Sequence, residues 1–242
     1  MARKNRVQAT KGPDLKLFYG LLALVAVVGI GWIGYSVATQ GSASAAVEPI
    51  ELSGIGNTDS LLAQARGVVV GSQDAPVQVM VFSDFTCPGC RAFAGLVEPQ
   101  IKQEFVNADR VRFTYYDFPL GGTGGHRHGF IAARAARCAG DQDRFWQYHD
   151  VLFGRQNEWS YSVDVPLDLL ADYAGMLELD EDAFRSCLNS DRHADVVTAN
   201  KILGQRLNVG STPTVFIGNR STPDPFTWEA VKAAIEAELG GA

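Results

Sequence analysis

The sequence predicts an α/β domain interrupted by a block of helices and preceded by one N-terminal transmembrane helix. Three observations carry this prediction. An uncharged 22-residue run lies near the start, strand-like stretches at 68–70, 77–85, 111–120 and 213–217 alternate with helical ones, and residues 126–206 read almost wholly helical. At 242 residues and 46% apolar composition the chain has room for one ordinary domain plus an appendage.

The appendage runs from Leu17 to Ala38, LFYGLLALVAVVGIGWIGYSVA. As a helix it would reach roughly 33 Å, the thickness of a hydrocarbon core. Arg3, Lys4, Arg6, Lys11 and Lys16 precede it against the single acid Asp14. The positive-inside rule therefore puts residues 1–16 in the cytoplasm and sends everything after Ala38 outward. The expected location is the cell membrane, single-pass, with an extracytoplasmic domain. A cleaved signal peptide competes, because GSASAA at 41–46 offers small residues to a signal peptidase, although its apolar region would normally span only about 7 to 15 residues. Of the 21 Lys+Arg and 27 Asp+Glu, five and one precede the anchor, leaving 16 against 26 and a formal net of −10 for the remainder. Nucleic acid is excluded as a natural partner of so acidic a body.

Residues 39–60 are rich in Gly, Ser, Ala and acids with little periodicity, and read as a linker to a domain at 61–242. No internal repeat is present. Val68 to Val70 and Val77 to Phe85 are strand-like, joined by the turn GSQDAP. Apolar residues at Phe93, Leu96, Val97, Ile101 and Phe105 follow at helical spacing, with a kink expected at Pro99. VRFTYYDFPL at 111–120 returns to strand, and the helical block at about 121–206 separates it from PTVFI at 213–217. A short strand near 219–222 and an amphipathic helix, TWEAVKAAIEAEL, close the chain.

Two of the four cysteines stand in FSDFTCPGC at 82–90, where a buried strand gives way to a helix. A thiol there faces backbone N–H groups and the positive end of the helix dipole, so Cys87 is the expected nucleophile. Pro88 suits the first helical position, where its missing N–H costs nothing. Cys90 lies on the same side of the first turn as the resolving thiol, with Pro88 and Gly89 as the intervening dipeptide. A zinc site needs two more ligands, and Cys138, Cys187, His126 and His128 are scattered singly over helical sequence. A local structural bridge is the other reading of the spacing. Cys138 and Cys187 lie on separate helical segments in an oxidising compartment and are expected to form a structural disulfide, the alternative being two free buried thiols. Asp84 is a candidate proton shuttle for the buried thiol, or a residue that bonds the turn. His126 is read as the start of a helix.

These residues resemble the thioredoxin-fold Dsb proteins, specifically the membrane-tethered DsbA-like branch of Gram-positive and related bacteria. The resemblance spans about 66–240 and is carried by GSQDAPVQVMVFSDFTCPGC, the helix running to ARCA, FWQYHDVLF and VGSTPTVFIG. It implies a thioredoxin fold divided by the helical block, and thiol–disulfide exchange with folding secreted proteins. In the family's terms Pro213, preceded by Thr212, is the cis-proline that lies against the dithiol. Strongly oxidising members carry a histidine between the cysteines, where this chain has Pro88 and Gly89, so a milder oxidant is implied. Oxidation of reduced secreted proteins is the expected activity, with reductase or isomerase action the alternative within the fold and a metal-carrier module the alternative outside it. No cofactor or metal is expected. The expected partners are reduced secreted proteins and a membrane redox protein of the DsbB-like or VKOR-like kind, with the chain itself a monomer.

Overall fold

The computed structural model describes Tyr19, residues 45–122 and residues 125–241. The basic N-terminus and, Tyr19 apart, the apolar run at 17–38 lie outside the described residues. Among the described residues no helix is long and apolar enough to cross a membrane.

Five strands form one sheet: β1 (Val68–Val70), β2 (Val77–Ser83), β3 (Val111–Asp117), β4 (Thr214–Ile217) and β5 (Arg220–Ser221), in the order β1-β3-β2-β4-β5. β2 and β3 run parallel with Val77 opposite Val111, while β1 and β4 are antiparallel to their neighbours. β2 is central, and its alternation explains why its sequence looks apolar throughout. Val77, Val79 and Val81 point to one face and pack with Phe93, Ile101 and Phe113. Phe82 points to the other and packs with Phe118, Leu203 and Val209.

The helix after the dithiol is broken where Pro99 forbids continuity. Its parts are α2 (Pro88–Leu96), α3 (Glu98–Ile101) and a π-helical turn at Lys102–Val106. Strand β3 ends at Asp117, and the Phe118 N–H just beyond it continues the pairing with β2 by donating to the Ser83 carbonyl at 2.7 Å.

Between β3 and β4 come α4 (Gly129–Gly140), α5 (Phe145–Gly154), α6 (Gln156–Trp159), α7 (Leu167–Met176), α8 (Glu181–Leu188) and α9 (Ala194–Arg206). They are the helical insertion of a thioredoxin fold. Every residue of α4 from Gly129 to Ala139 is buried, which its alanines permit by letting neighbouring elements approach closely. Cys138 on α4 is bonded to Cys187 on α8, with Cα atoms 5.9 Å apart. The final helix, α10 (Trp228–Gly240), packs on β2 and β4.

The described part of the stretch at 39–64 makes specific attachments to the domain. Thr58–Gln64 forms a helix, α1, started by a reciprocal cap between Asn57 and Ser60, and its Leu61 is fully buried. The segment before it is fastened to the domain as well. Ile50 donates its N–H to Thr198 Oγ1 at 3.2 Å, and Arg134 donates to the Ala46 carbonyl at 2.7 Å. Periodicity missed these attachments because they are made by single main-chain groups.

Candidate active site

Strand β2 delivers the chain to the site. After Ser83 the backbone turns, with the Cys87 N–H donating to the Asp84 carbonyl at 3.0 Å, and Cys87 becomes the residue that starts α2. Cys87 keeps 9% of its surface open to solvent, whereas Cys90 has none. Both are free thiols. Among the described residues no His, Cys, Asp or Glu joins them as a third metal ligand.

The two thiols differ sharply in acidity. Cys87 is brought down from the usual thiol range to about 5, chiefly because the Cys90 thiol donates a hydrogen bond to its sulfur. Burial opposes the effect, while Thr212 and the N–H groups of Cys90 and Gly89 add to it. Cys90 is pushed well above the usual range, first by burial, then by the hydrogen bond its thiol donates to Cys87 and by the Cys87 charge.

The chain returns to the site at Thr212 and Pro213. Their peptide bond is cis, and the Cys87 thiol donates to the Thr212 carbonyl across 3.3 Å. The Thr212 hydroxyl is buried without a partner in this thiol form. When Cys87 ionises it no longer donates to the carbonyl, and that hydroxyl can turn toward the thiolate. Pro213 and the half-exposed Phe226 border Gly89, where a Cβ would lie 3.4 Å from each.

Asp84 is buried, and its carboxylate accepts the Thr86 N–H at 2.8 Å, the Thr86 hydroxyl at 2.7 Å and the Leu120 N–H at 2.8 Å. It therefore bonds the turn before Cys87. Its own N–H donates to Cys90 Sγ at 3.4 Å, and burial raises its pKa above the usual carboxylate range. His126 precedes α4 in a turn, its Nδ1 2.9 Å from Thr86 Oγ1. His128 faces away, to the Ser162 carbonyl.

Sequence reasoning missed Gln156. From α6 this buried side chain donates to the carbonyls of Phe85 and Cys87 at 2.7 and 3.0 Å, and so satisfies the turn that carries the nucleophile. A glutamine in GRQNEW carries no signal of that role.

A family model described as Thioredoxin matches residues 63–237, most of the domain built around this dithiol. Probable disulfide bond formation protein D of Bacillus anthracis is 30% identical over 175 residues, covering 70% of this chain and 77% of that protein. The chain belongs to the DsbA-like disulfide oxidoreductases of the thioredoxin fold. The crystal structure of oxidised BdbD from Bacillus subtilis is 28% identical, with a TM-score of 0.64 over 72% of this chain and 92% of that one. The Na(+)/H(+) antiporter NhaA 1 of Salinispora arenicola is 37% identical over 177 residues, but the match spans 25% of that protein's length.

Proposed function

We propose that this DsbA-like chain is an extracytoplasmic protein disulfide oxidase, tethered to the cell membrane through residues 17–38. The observation that carries the reading is the split in acidity within one dithiol, a thiol near 5 at the start of α2 and a shielded thiol held protonated behind it. A client thiolate attacks Cys87 Sγ of the oxidised protein, the Cys87–Cys90 bond breaks, and Cys90 leaves and takes up a proton. A second client thiolate then attacks the client sulfur of the mixed disulfide and expels Cys87 as a thiolate, which its low pKa makes a good leaving group. The client gains one disulfide and the protein gains two electrons. A membrane redox protein of the DsbB-like or VKOR-like kind removes them.

Direction follows from the same residue. A stabilised thiolate favours the reduced form and so makes the disulfide oxidising. Cys87 near 5 lies between the value of about 7 in thioredoxin and about 3.5 in the strongest oxidases. Thr212 and Pro213, beside Cys87, are positioned to receive an extended client strand by main-chain pairing. Equilibration with glutathione tests the reading, and the expected potential lies between about −270 and −120 mV, nearer the upper value. A potential at or below the lower value, or failure to introduce disulfides into reduced, unfolded ribonuclease, overturns the oxidase assignment. Protease treatment of intact spheroplasts tests the placement, which requires the domain to be digested from outside.

A further inference from the structure

Beside the dithiol lies a line of polar groups that the exchange steps leave unused. Thr86 is buried, its hydroxyl donating to Asp84 Oδ1 at 2.7 Å and lying 2.9 Å from His126 Nδ1. A hydroxyl carries one proton. While Asp84 is ionised it can only accept, so the Thr86 proton goes to Asp84 and the contact with His126 places a proton on Nδ1. Protonating Asp84 reverses both bonds: Asp84 donates to Thr86, Thr86 donates to Nδ1, and the ring proton sits on Nε2. The Asp84 side chain is wholly buried, while that of His126 is 34% exposed, so three side chains connect the interior to water.

The dithiol chemistry needs such a connection. Cys90 has no exposed surface, yet it gains and loses a proton in every cycle. The residue whose amide touches its sulfur, at 3.4 Å, is Asp84. We propose that His126 is the solvent end of a proton relay, running through Thr86 to Asp84, that serves the proton exchange of Cys90; the proposal rests on the dithiol reading above. When Cys90 resolves a mixed disulfide at Cys87, its sulfur forms the Cys87–Cys90 bond and the departing group leaves as a thiolate. The Cys90 proton passes to the Asp84 carboxylate. Asp84 then hands it to Thr86, the Thr86 proton moves to His126 Nδ1, and Nε2 releases one to water. His126 is a positioning residue in this scheme, because it touches neither sulfur nor client. Burial raises Asp84, which makes it a better acceptor for a thiol proton than an exposed carboxylate.

Of the other titratable groups around this line, all but Tyr115 point elsewhere or are already occupied. His128 Nε2 faces the Ser162 carbonyl, and Arg127 reaches the Val163 carbonyl. Lys201 Nζ lies 3.5 Å from the Leu120 carbonyl, and Asp117 pairs with Arg137. Tyr115 has a buried hydroxyl without a hydrogen-bond partner and lies within electrostatic reach of Cys90 and Asp84, but it is held protonated, chiefly by burial, and so accepts no proton from the thiol.

The test follows reoxidation of the reduced protein by oxidised glutathione, with acid quenching, alkylation and mass measurement at several pH values. Formation of the Cys87–glutathione adduct reports the first attack, and its conversion to the Cys87–Cys90 disulfide reports the Cys90 step. In Thr86→Val and His126→Ala the adduct should form at the wild-type rate but convert at least about tenfold more slowly, and so accumulate. Thr86→Ser, which keeps the hydroxyl, should behave as wild type, and added imidazole should restore His126→Ala but not Thr86→Val. Should His126→Ala fail to fold, His126→Gln can bond Thr86 without passing a proton and should be equally slow. Conversion at the wild-type rate in the folded His126 and Thr86→Val variants overturns the relay. So does a Thr86→Ser variant as slow as Thr86→Val. A wild-type protein that forms no adduct at all overturns the dithiol reading instead.

Discussion

The sulfur of Cys87 lies 3.3 Å from the carbonyl oxygen of Thr212, a contact across 125 positions that joins the start of α2 to the segment entering β4. It holds the nucleophile at the edge of the domain and brings the Thr212 hydroxyl within reach of the thiolate. In the reduced protein, absorbance at 240 nm should show Cys87 ionising near pH 5, and iodoacetamide at about pH 6 should label Cys87 and leave Cys90. Thr212→Val should move the midpoint upward by about one pH unit, the worth of one hydrogen bond to a charged group. Equal labelling of the two cysteines would contradict the assignment of nucleophile and resolving thiol.

Acidity is linked to stability, and the sign is fixed by the direction of the shift. Cys87 ionises near 5 when folded and near about 8.5 in an unfolded chain, so the unfolded state binds the extra proton between these values. The reduced protein should therefore gain stability as pH rises from about 5 to about 8.5, and lose that contribution as pH falls through 5. Cys90 acts oppositely above the free-thiol range, because its folded state resists ionisation. Urea unfolding of reduced wild type and Cys87→Ser at pH 5, 6, 7 and 8 isolates the effect. Parallel pH dependences in the two proteins would count against it.

The Cys138–Cys187 bond closes a loop of 49 positions between α4 and α8. In the chain-entropy model such a loop is worth about 4 kcal/mol, so Cys138→Ser or Cys187→Ser should lower stability by an amount of that order. Exchange at Cys87 should persist at temperatures where the variant remains folded. The check is guanidinium unfolding paired with the glutathione assay, and an unchanged midpoint would show that the bond constrains nothing the unfolded chain explores.

Arg134, wholly buried in α4, donates to the carbonyls of Ala46, Cys187, Leu188, Ser190 and Arg192. Replacing it by Met leaves these acceptors without their cation and should cost about 3 kcal/mol or more. Hydrogen exchange should locate the loss at residues 45–50 and 187–192. Uniform protection across both segments would show that other groups hold them.

The dithiol motif, its place at a strand-to-helix junction, the helical block and the return of a strand after Thr212-Pro213 were all legible in the sequence. Each is written in local pattern: alternation in VQVMVF, helical spacing after CPGC, a proline at a strand start. The uncharged run at 17–38 was legible in the same way, as composition over consecutive residues. What tertiary structure alone decided is which distant groups complete those local elements. Nothing near Gln156 announces that it satisfies the Phe85 and Cys87 carbonyls, and nothing in AARAARCA says that Arg134 is the hub of five backbone acceptors. Thr58–Gln64 forms a helix on the domain across the boundary drawn at residue 60, because Leu61 finds a buried site beside Phe82 and Leu203. The meeting of Asp84, Thr86 and His126 belongs to the same class. Periodicity encodes which face of an element is apolar, since that is repeated every two or four residues. A buried polar group is satisfied once, by whichever side chain the fold brings within about 3 Å, and a single occurrence leaves no period to read.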